Sequence, residues 1–338
     1  MRSVPHSYDA VMKPSGIEVT RCGDGPLVDP SSHGSIGSNI QGPSLIAVPD
    51  WLPNPLGRYY LYFADHKGTY IRLAYSDHVA GPYTVHDAGT LQLAKSYFPT
   101  EPIACSEEQL ERISSYYLTE VGISTAQTVH SDITTPHIAS PDVHVDDDNQ
   151  RIVMYFHGLE ALADQQSRVA VSSDGLDFVA DPKLMKGTYL RAFAVDGQSY
   201  CLTMPGQIWK LGPGLADAEA GPRLFDQDMR HSALVVRGDT LHVFYTQVGH
   251  SPERILHCTI DVGRPWTEWV ETEAIEVLRP ELDWEGADQP NEPSQRSVAP
   301  GRVNQLRDPA FFSEDGSDYL LYAIAGESGI ALAEVTGL

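Results

Sequence analysis

His137-Ile-Ala-Ser-Pro-Asp142-Val-His-Val145 and Arg151-Ile-Val-Met-Tyr-Phe-His157-Gly158 are two β-type runs joined by the acidic turn Asp146-Asp-Asp-Asn149. Successive side chains of such runs point to alternate faces, and a short polar turn between them reverses the chain as a hairpin. The start of the first strand and the end of the second then share one edge of the sheet. This predicts Asp142 and His157 facing each other across one rim.

The pattern recurs along the chain. Before it come Pro43-Ser-Leu-Ile-Ala-Val48, Arg58-Tyr-Tyr-Leu-Tyr-Phe-Ala-Asp65-His66, Tyr70-Ile-Arg-Leu-Ala-Tyr75 and Gly81-Pro-Tyr-Thr-Val85. After it come runs opening at Tyr189, Ser232 and Asp308, each followed by a turn of the Asp196-Gly197, Arg237-Gly238-Asp239 or Glu314-Asp315-Gly316 kind. Repeated four-strand units fit radial repetition around a central channel. The fold class expected is all-β, a five-bladed β-propeller of four-stranded antiparallel blades over residues 38–338. A β-sandwich or two stacked all-β domains is the alternative. Residues 1–37 form an N-terminal segment whose strand near Ile17–Val19 is placed to close the last blade. One short helix is expected between the first two blades, where Ser106-Glu-Glu-Gln109 is a capping-box pattern followed by Leu110, Ile113 and Tyr117 at helical spacing. It is expected to pack against the outside of the first units.

Bulk properties narrow the function classes. The 338 residues carry 46 Asp and Glu against 23 Lys and Arg, a formal net charge of −23. Such an excess repels nucleic acid and anionic membrane surfaces, so neither is an expected partner. No window is long and apolar enough to span a bilayer. Met1-Arg-Ser-Val-Pro-His6 lacks the apolar core of a signal, so a cytoplasmic location is the expectation. The cysteines Cys22, Cys105, Cys201 and Cys258 are far apart, and Cys201 and Cys258 lie in apolar runs as buried free thiols.

Ser140-Pro-Asp-Val-His144, Phe63-Ala-Asp-His66, Tyr155-Phe-His-Gly158 and Leu306-Arg-Asp-Pro309 resemble stretches of the five-bladed propeller glycosidases. That superfamily holds glycoside hydrolase families 43, 32, 68, 117 and 130, and the chain is most similar to family 43. The resemblance implies a general-base Asp opening the first blade, an acid-tuning Asp in the second and a Glu acid opening the third. Asp142 matches the second. Gln41-Gly42-Pro43 stands where an Asp-Pro is implied, and Tyr189-Leu-Arg191 opens the third blade without a glutamate. Arg307-Asp308-Pro309 is similar to the Arg-Asp-Pro signature of families 32 and 68, placed in the last blade instead of the second.

Strand starts and second-strand ends define the rim inventory. The candidate catalytic residues are Asp142 and Asp308, with Asp65 or Glu292 as a third acid. His66, His157, Arg191, His231, Arg307, Gln41 and Trp284 are the candidate substrate-binding residues, with His66 and His157 at equivalent places in two blades. His250, Glu327, Asn291 and Arg296 complete the rim. Carboxylates, histidines, arginines and an aromatic face suit a carbohydrate. Hydrolysis needs two carboxyl groups, about 5–5.5 Å apart for retention or about 6.5–9.5 Å for inversion. The plainer alternatives are turn-capping aspartates, hydrogen-bonded histidines and salt bridges from Arg191 and Arg307 to Asp142 or Asp308. No cofactor is expected; several histidines on one rim allow a single metal ion in the channel, without any short-spaced ligand motif. The leading expectation is a glycoside hydrolase removing a terminal sugar. The alternatives are a lyase on an acidic sugar using His and Arg, and a non-catalytic sugar-binding propeller.

Overall fold

The computed structural model describes residues 16–117, 119 and 126–338. Strand β1 (Glu18–Arg21) precedes the first blade, β2 (Gln41–Ala47), β3 (Tyr59–Ala64), β4 (Tyr70–Ser76) and β5 (Thr84–Gln92). Helices α1 (Glu107–Tyr116) and α2 (Ala126–Thr134) follow. The second blade is β6 (Ile138–Asp146), β7 (Arg151–Ala161), β8 (Asp164–Ser172) and β9 (Val179–Ala180). The third is β10 (Thr188–Val195), β11 (Gln198–Met204), β12 (Gln207–Leu211) and β13 (Ala218–Arg223). The fourth is β14 (Met229–Arg237), β15 (Thr240–Gln247), β16 (Ile255–Asp261) and β17 (Ile275–Leu278). The last is β18 (Arg307–Glu314), β19 (Ser317–Ala323) and β20 (Ile330–Thr336), to which β1 adds as the outer strand. The five four-stranded antiparallel sheets form a propeller, as expected.

The second strand of the first blade shows why these sequences make blades. Tyr59-Tyr-Leu-Tyr-Phe-Ala64 is buried along its whole length. Its alternate side chains enter two different cores: Tyr60, Tyr62 and Ala64 pack with Ile138, Met154 and Phe156 of the second blade, whereas Tyr59, Leu61 and Phe63 pack with Leu321 and Leu332 of the last. A sheet covered on both faces by neighbours needs apolar residues at every position of its central strands. The ring is closed by β1, which pairs antiparallel with β20, and Arg21 on β1 anchors it further, its Nε and Nη2 donating to the buried carboxylate of Glu285 at 2.8 and 2.9 Å.

Two expectations change. Among the described residues there are two α-helices between the first blades, not one. Helix α2 was hidden by its polar composition, but Val129 and Ile133, four residues apart, bury one face against Leu110 and Ile113 of α1 and Leu162 of the second blade. The pair therefore stands beside the rim rather than outside the first units.

The second change concerns register. Every innermost strand carries a bulge near its start, at Gly42, Ser140, Tyr189, His231 and Asp308, with φ of 63°, 50°, 50°, 36° and 46°. A bulge adds a residue to one strand and turns side chains to new directions. Strand β6 begins at Ile138, so Asp142 lies well inside the channel, opposite Tyr155, while His157 pairs with Ala139. His157 thus corresponds to Ala64 of the first blade and not to His66.

Candidate active site

The rim formed by strand starts opens into a cavity of about 240 Å³. Thr188, Tyr189, Arg230 and His231 come from the innermost strands, Tyr117 and Asp132 from the helical segment. His66, Arg296 and Ser297 reach in from the turns.

The floor is built on the bulges. His231 and Asp308 occupy equivalent bulge positions in adjacent blades, and His231 Nδ1 lies 2.6 Å from Asp308 Oδ1. Both are almost completely buried. Apart from this contact, neither oxygen of Asp308 meets a hydrogen-bond donor among the described residues. Burial pushes the Asp308 carboxyl up, but the neighbouring His231 outweighs it and holds the carboxyl below its usual range. Burial lowers His231 despite the carboxylate, so the imidazole is neutral at pH 7. Its Nδ1 faces Asp308 at ion-pair distance without forming a well-aligned hydrogen bond, and its Nε2 is left for the cavity that the ring lines. This is the arrangement of a general base oriented by a carboxylate.

Rings continue the wall. Tyr189 packs against His231 with centroids 4.3 Å apart and against His157 at 4.6 Å, and His137 follows at 6.1 Å from His157. Burial and the surrounding histidines hold His157 far below the ordinary imidazole value. Burial and Lys67 lower His137 to about 3. Burial, then the Asp308 charge, pushes the Tyr189 phenol well up. The wall is thus neutral: three uncharged imidazoles and an un-ionised phenol.

Charges surround it. Arg230 and Arg307 stand directly before the bulge in adjacent blades, and the buried Glu253 lies between them, 3.6 and 3.4 Å from their Nε atoms. Arg307 Nη1 donates to Glu327 Oε1 at 2.8 Å, and Glu327 also accepts from Asn39 Nδ2 and lies 3.3 Å from His66 Nδ1. Burial raises Glu327, but His66 and Arg307 overcome this and keep it ionised. Asp132 Oδ1 accepts from Ser297 Oγ at 2.7 Å and lies 3.1 Å from Lys67 Nζ.

The expected site residues separate. Asp308, His231, His66 and His157 gather at or under this cavity, and Gln41 is buried at the start of β2 with its Nε2 unpartnered among the described residues. Arg307 is a buried structural arginine: its Nε and Nη2 donate to Gln305 Oε1, and its carboxylate partners are Glu253 and Glu327. Asp142 and Arg191 belong to the opposite mouth, because the bulge displaces them inward. Asp65 caps its own turn, accepting from the Lys67 amide, with Arg72 3.4 Å from its other oxygen. Glu292 is exposed and lines a separate cavity with Arg296 and Arg307, and Trp284 lines a third with Asn39 and Glu327. Tyr189, Arg230, Asp132 and Glu253 were missed as site residues. The repeat of Arg230-His231 and Arg307-Asp308 at blade starts was a usable signal for the first arginine; nothing in the sequence announces Asp132. Among the described residues no group of three or more His, Cys, Asp or Glu is arranged to hold a metal ion, and no helix is long and apolar enough to cross a membrane.

No protein-family model matches the chain. An uncharacterized protein of Acanthamoeba polyphaga mimivirus is 35% identical over 323 residues, covering 88% of this chain and 83% of that protein. The chain belongs to the family of that viral protein. Among solved structures, a family 43 β-xylosidase/α-arabinofuranosidase from a compost microbial metagenome, in complex with xylotriose, aligns with a TM-score of 0.55 over 94% of both chains at 13% identity. A thermostable family 43 glycoside hydrolase gives 0.54 at 12% identity, covering 89% of this chain and 91% of its own. The family 43 subfamily 1 enzyme of Xanthomonas citri gives 0.53 at 13%, covering 92% and 89%. The chain has the five-bladed propeller fold of the family 43 glycosidase superfamily.

Proposed function

We propose that this protein is a glycoside hydrolase that removes a terminal sugar bound in the strand-start cavity. The observation that carries the reading is the Asp308–His231 pair on the cavity floor. The cavity of about 240 Å³ lies below the ~300–1,000 Å³ of drug-sized sites and suits one sugar ring. In this reading His231 Nε2 takes the proton of the attacking water, and Asp308 orients the ring and stabilises the imidazolium as it forms. As the glycosidic bond breaks, the leaving oxygen takes its proton from Asp132, the carboxyl group on the cavity wall. Arg230 and His66 hold sugar hydroxyls, and Tyr189 packs against the ring. The superfamily's implied base and acid positions are Gly42 and the start of the third blade, so in this reading the base lies with the fourth and fifth blades and the acid with α2.

The test is reducing-sugar release from xylo-, arabino- and galacto-oligosaccharides. His231→Gln and Asp308→Asn should each lower kcat about 10²–10⁴-fold while the circular dichroism spectrum is retained. Full turnover by either variant overturns the assignment.

The neutral imidazoles beside Tyr189 and Arg230 favour a second reading, β-elimination from an acidic sugar. There His231 would abstract the proton next to a uronate carboxylate held by Arg230. An unsaturated product absorbing in the ultraviolet, formed from uronate oligomers alone, selects this reading over hydrolysis.

A further inference from the structure

The channel has a second mouth, where innermost strands end and second strands begin. It encloses about 660 Å³ and is lined by all five innermost strands. Arg191 forms its floor. The guanidinium crosses the channel, Nε donating to Ser232 O at 2.9 Å and Nη1 to Pro141 O at 2.7 Å, which ties the second, third and fourth blades. Asp142 stands beside it, with Oδ1 3.6 Å from Arg191 Nη1. Asp142 Oδ2 accepts from the Ala192 amide at 2.8 Å and lies 2.7 Å from His144 Nε2.

These contacts explain half of each group. Among the described residues, Asp142 Oδ1 has no donor within hydrogen-bond distance, and Arg191 Nη2 makes no hydrogen bond. Both residues are more than nine-tenths buried and both line the cavity. An acceptor next to a donor is matched by a hydroxyl, which donates and accepts through one oxygen. The side walls are half-buried Trp51 and Phe311 with Ile46 and Val48, flat and apolar surfaces for a ring face. Asp50 and Asp147 at the lip, with Asp142 inside, oppose an anion; Arg191 and His144 oppose a cation. We propose that this mouth is a second binding site, specific for a neutral sugar. It stands independently of the reading of the strand-start cavity.

The experiment is calorimetric titration of the full chain with glucose, galactose, xylose and lactose. Saturable binding of at least one is expected. Asp142→Asn should weaken it roughly tenfold or more, the scale of one hydrogen bond to a charged group. Val48→Trp, which fills the lip, should abolish it with the thermal midpoint retained. His231→Gln should leave it unchanged, and Val48→Trp should leave glycan turnover unchanged. The proposal fails if no sugar binds saturably, if binding survives Val48→Trp, or if it disappears with His231→Gln instead.

Discussion

The two mouths of the channel are drawn from the same five strands, and a few residues of travel along them reverse the chemistry. On the strand-start side the bulge residues include Tyr189, His231 and Asp308, and their neighbours are kept uncharged by burial or held in a network of Arg230, Arg307, Glu253 and Glu327. On the other side the equivalent inward positions are Ser44, Asp142, Arg191, Ala233 and Ala310, with one charge-pair cluster among small and apolar residues. The first mouth concentrates proton-transfer groups with free nitrogen or oxygen atoms. The second presents a fixed donor and acceptor on an apolar wall. Non-glycine residues at positive φ are costly and persist where surroundings enforce them, and four of the five bulges bear such residues at the strand-start mouth.

The largest expected effect tests whether the mouths are functionally separate. His231→Gln or Asp308→Asn should remove about 10²–10⁴-fold of turnover, and Asp142→Asn should remove none. Equal losses from Asp142→Asn and Asp308→Asn in a reducing-sugar assay would merge the two sites into one.

Stability should show the opposite ranking. Arg191→Ala takes away two hydrogen bonds to backbone carbonyls and leaves Asp142 without its guanidinium neighbour. Breaking a buried ion pair from one side costs about 3–5 kcal/mol. A urea midpoint unchanged by Arg191→Ala would show that the floor of the second mouth is not a tie between blades.

The fold was legible because blade strands must be apolar on both faces, and Tyr59-Tyr-Leu-Tyr-Phe-Ala64 satisfies that at every position. The site was legible in part. His231, Asp308 and His66 lie at strand starts or turns, where polar residues stand out against apolar runs. Asp142 was misplaced because the sequence does not reveal a bulge at Ser140; one added residue there redirects the side chains of the rest of the strand. Asp132 was invisible because its position depends on how α2 docks on the second blade. Glu253 needed the packing of two blades, since its partners Arg230 and Arg307 are far from it in the chain.

Acid should discriminate between the mouths by sign. His137, His157 and His231 have folded values below the unfolded 6.5, with His137 at about 3. Their contribution is intact above pH 6.5 and is lost as pH falls below it, by up to about 1.4 kcal/mol per pH unit for each group while the unfolded chain alone takes the proton. His144 is raised above 6.5: burial lowers it, but Asp142 prevails. Its stabilisation is present below the unfolded value and disappears as pH rises through the folded one. Urea midpoints measured from pH 7.5 to 5 should therefore fall in the wild type. The fall should be shallower in His157→Gln and steeper in His144→Gln. Identical slopes in the two variants would refute the contrast.

The smallest effect concerns why the first blade opens on glycine. Gly42 precedes Pro43 at the bulge, with φ at +63°, and a Cβ there would stand 3.0 Å from the Ser140 Cα and 3.2 Å from its Oγ. The obstruction is backbone of the neighbouring blade, which cannot rotate away as a side chain does. The left-handed conformation adds its own cost for any residue with a Cβ, roughly 1–2 kcal/mol. Gly42→Ala should lower stability by about that amount, and Gly42→Asp by at least as much, without creating activity at the first blade. A Gly42→Asp variant that folds with an unchanged urea midpoint and gains turnover would show that the bulge of the first blade accepts a working carboxylate despite the close approach of Ser140.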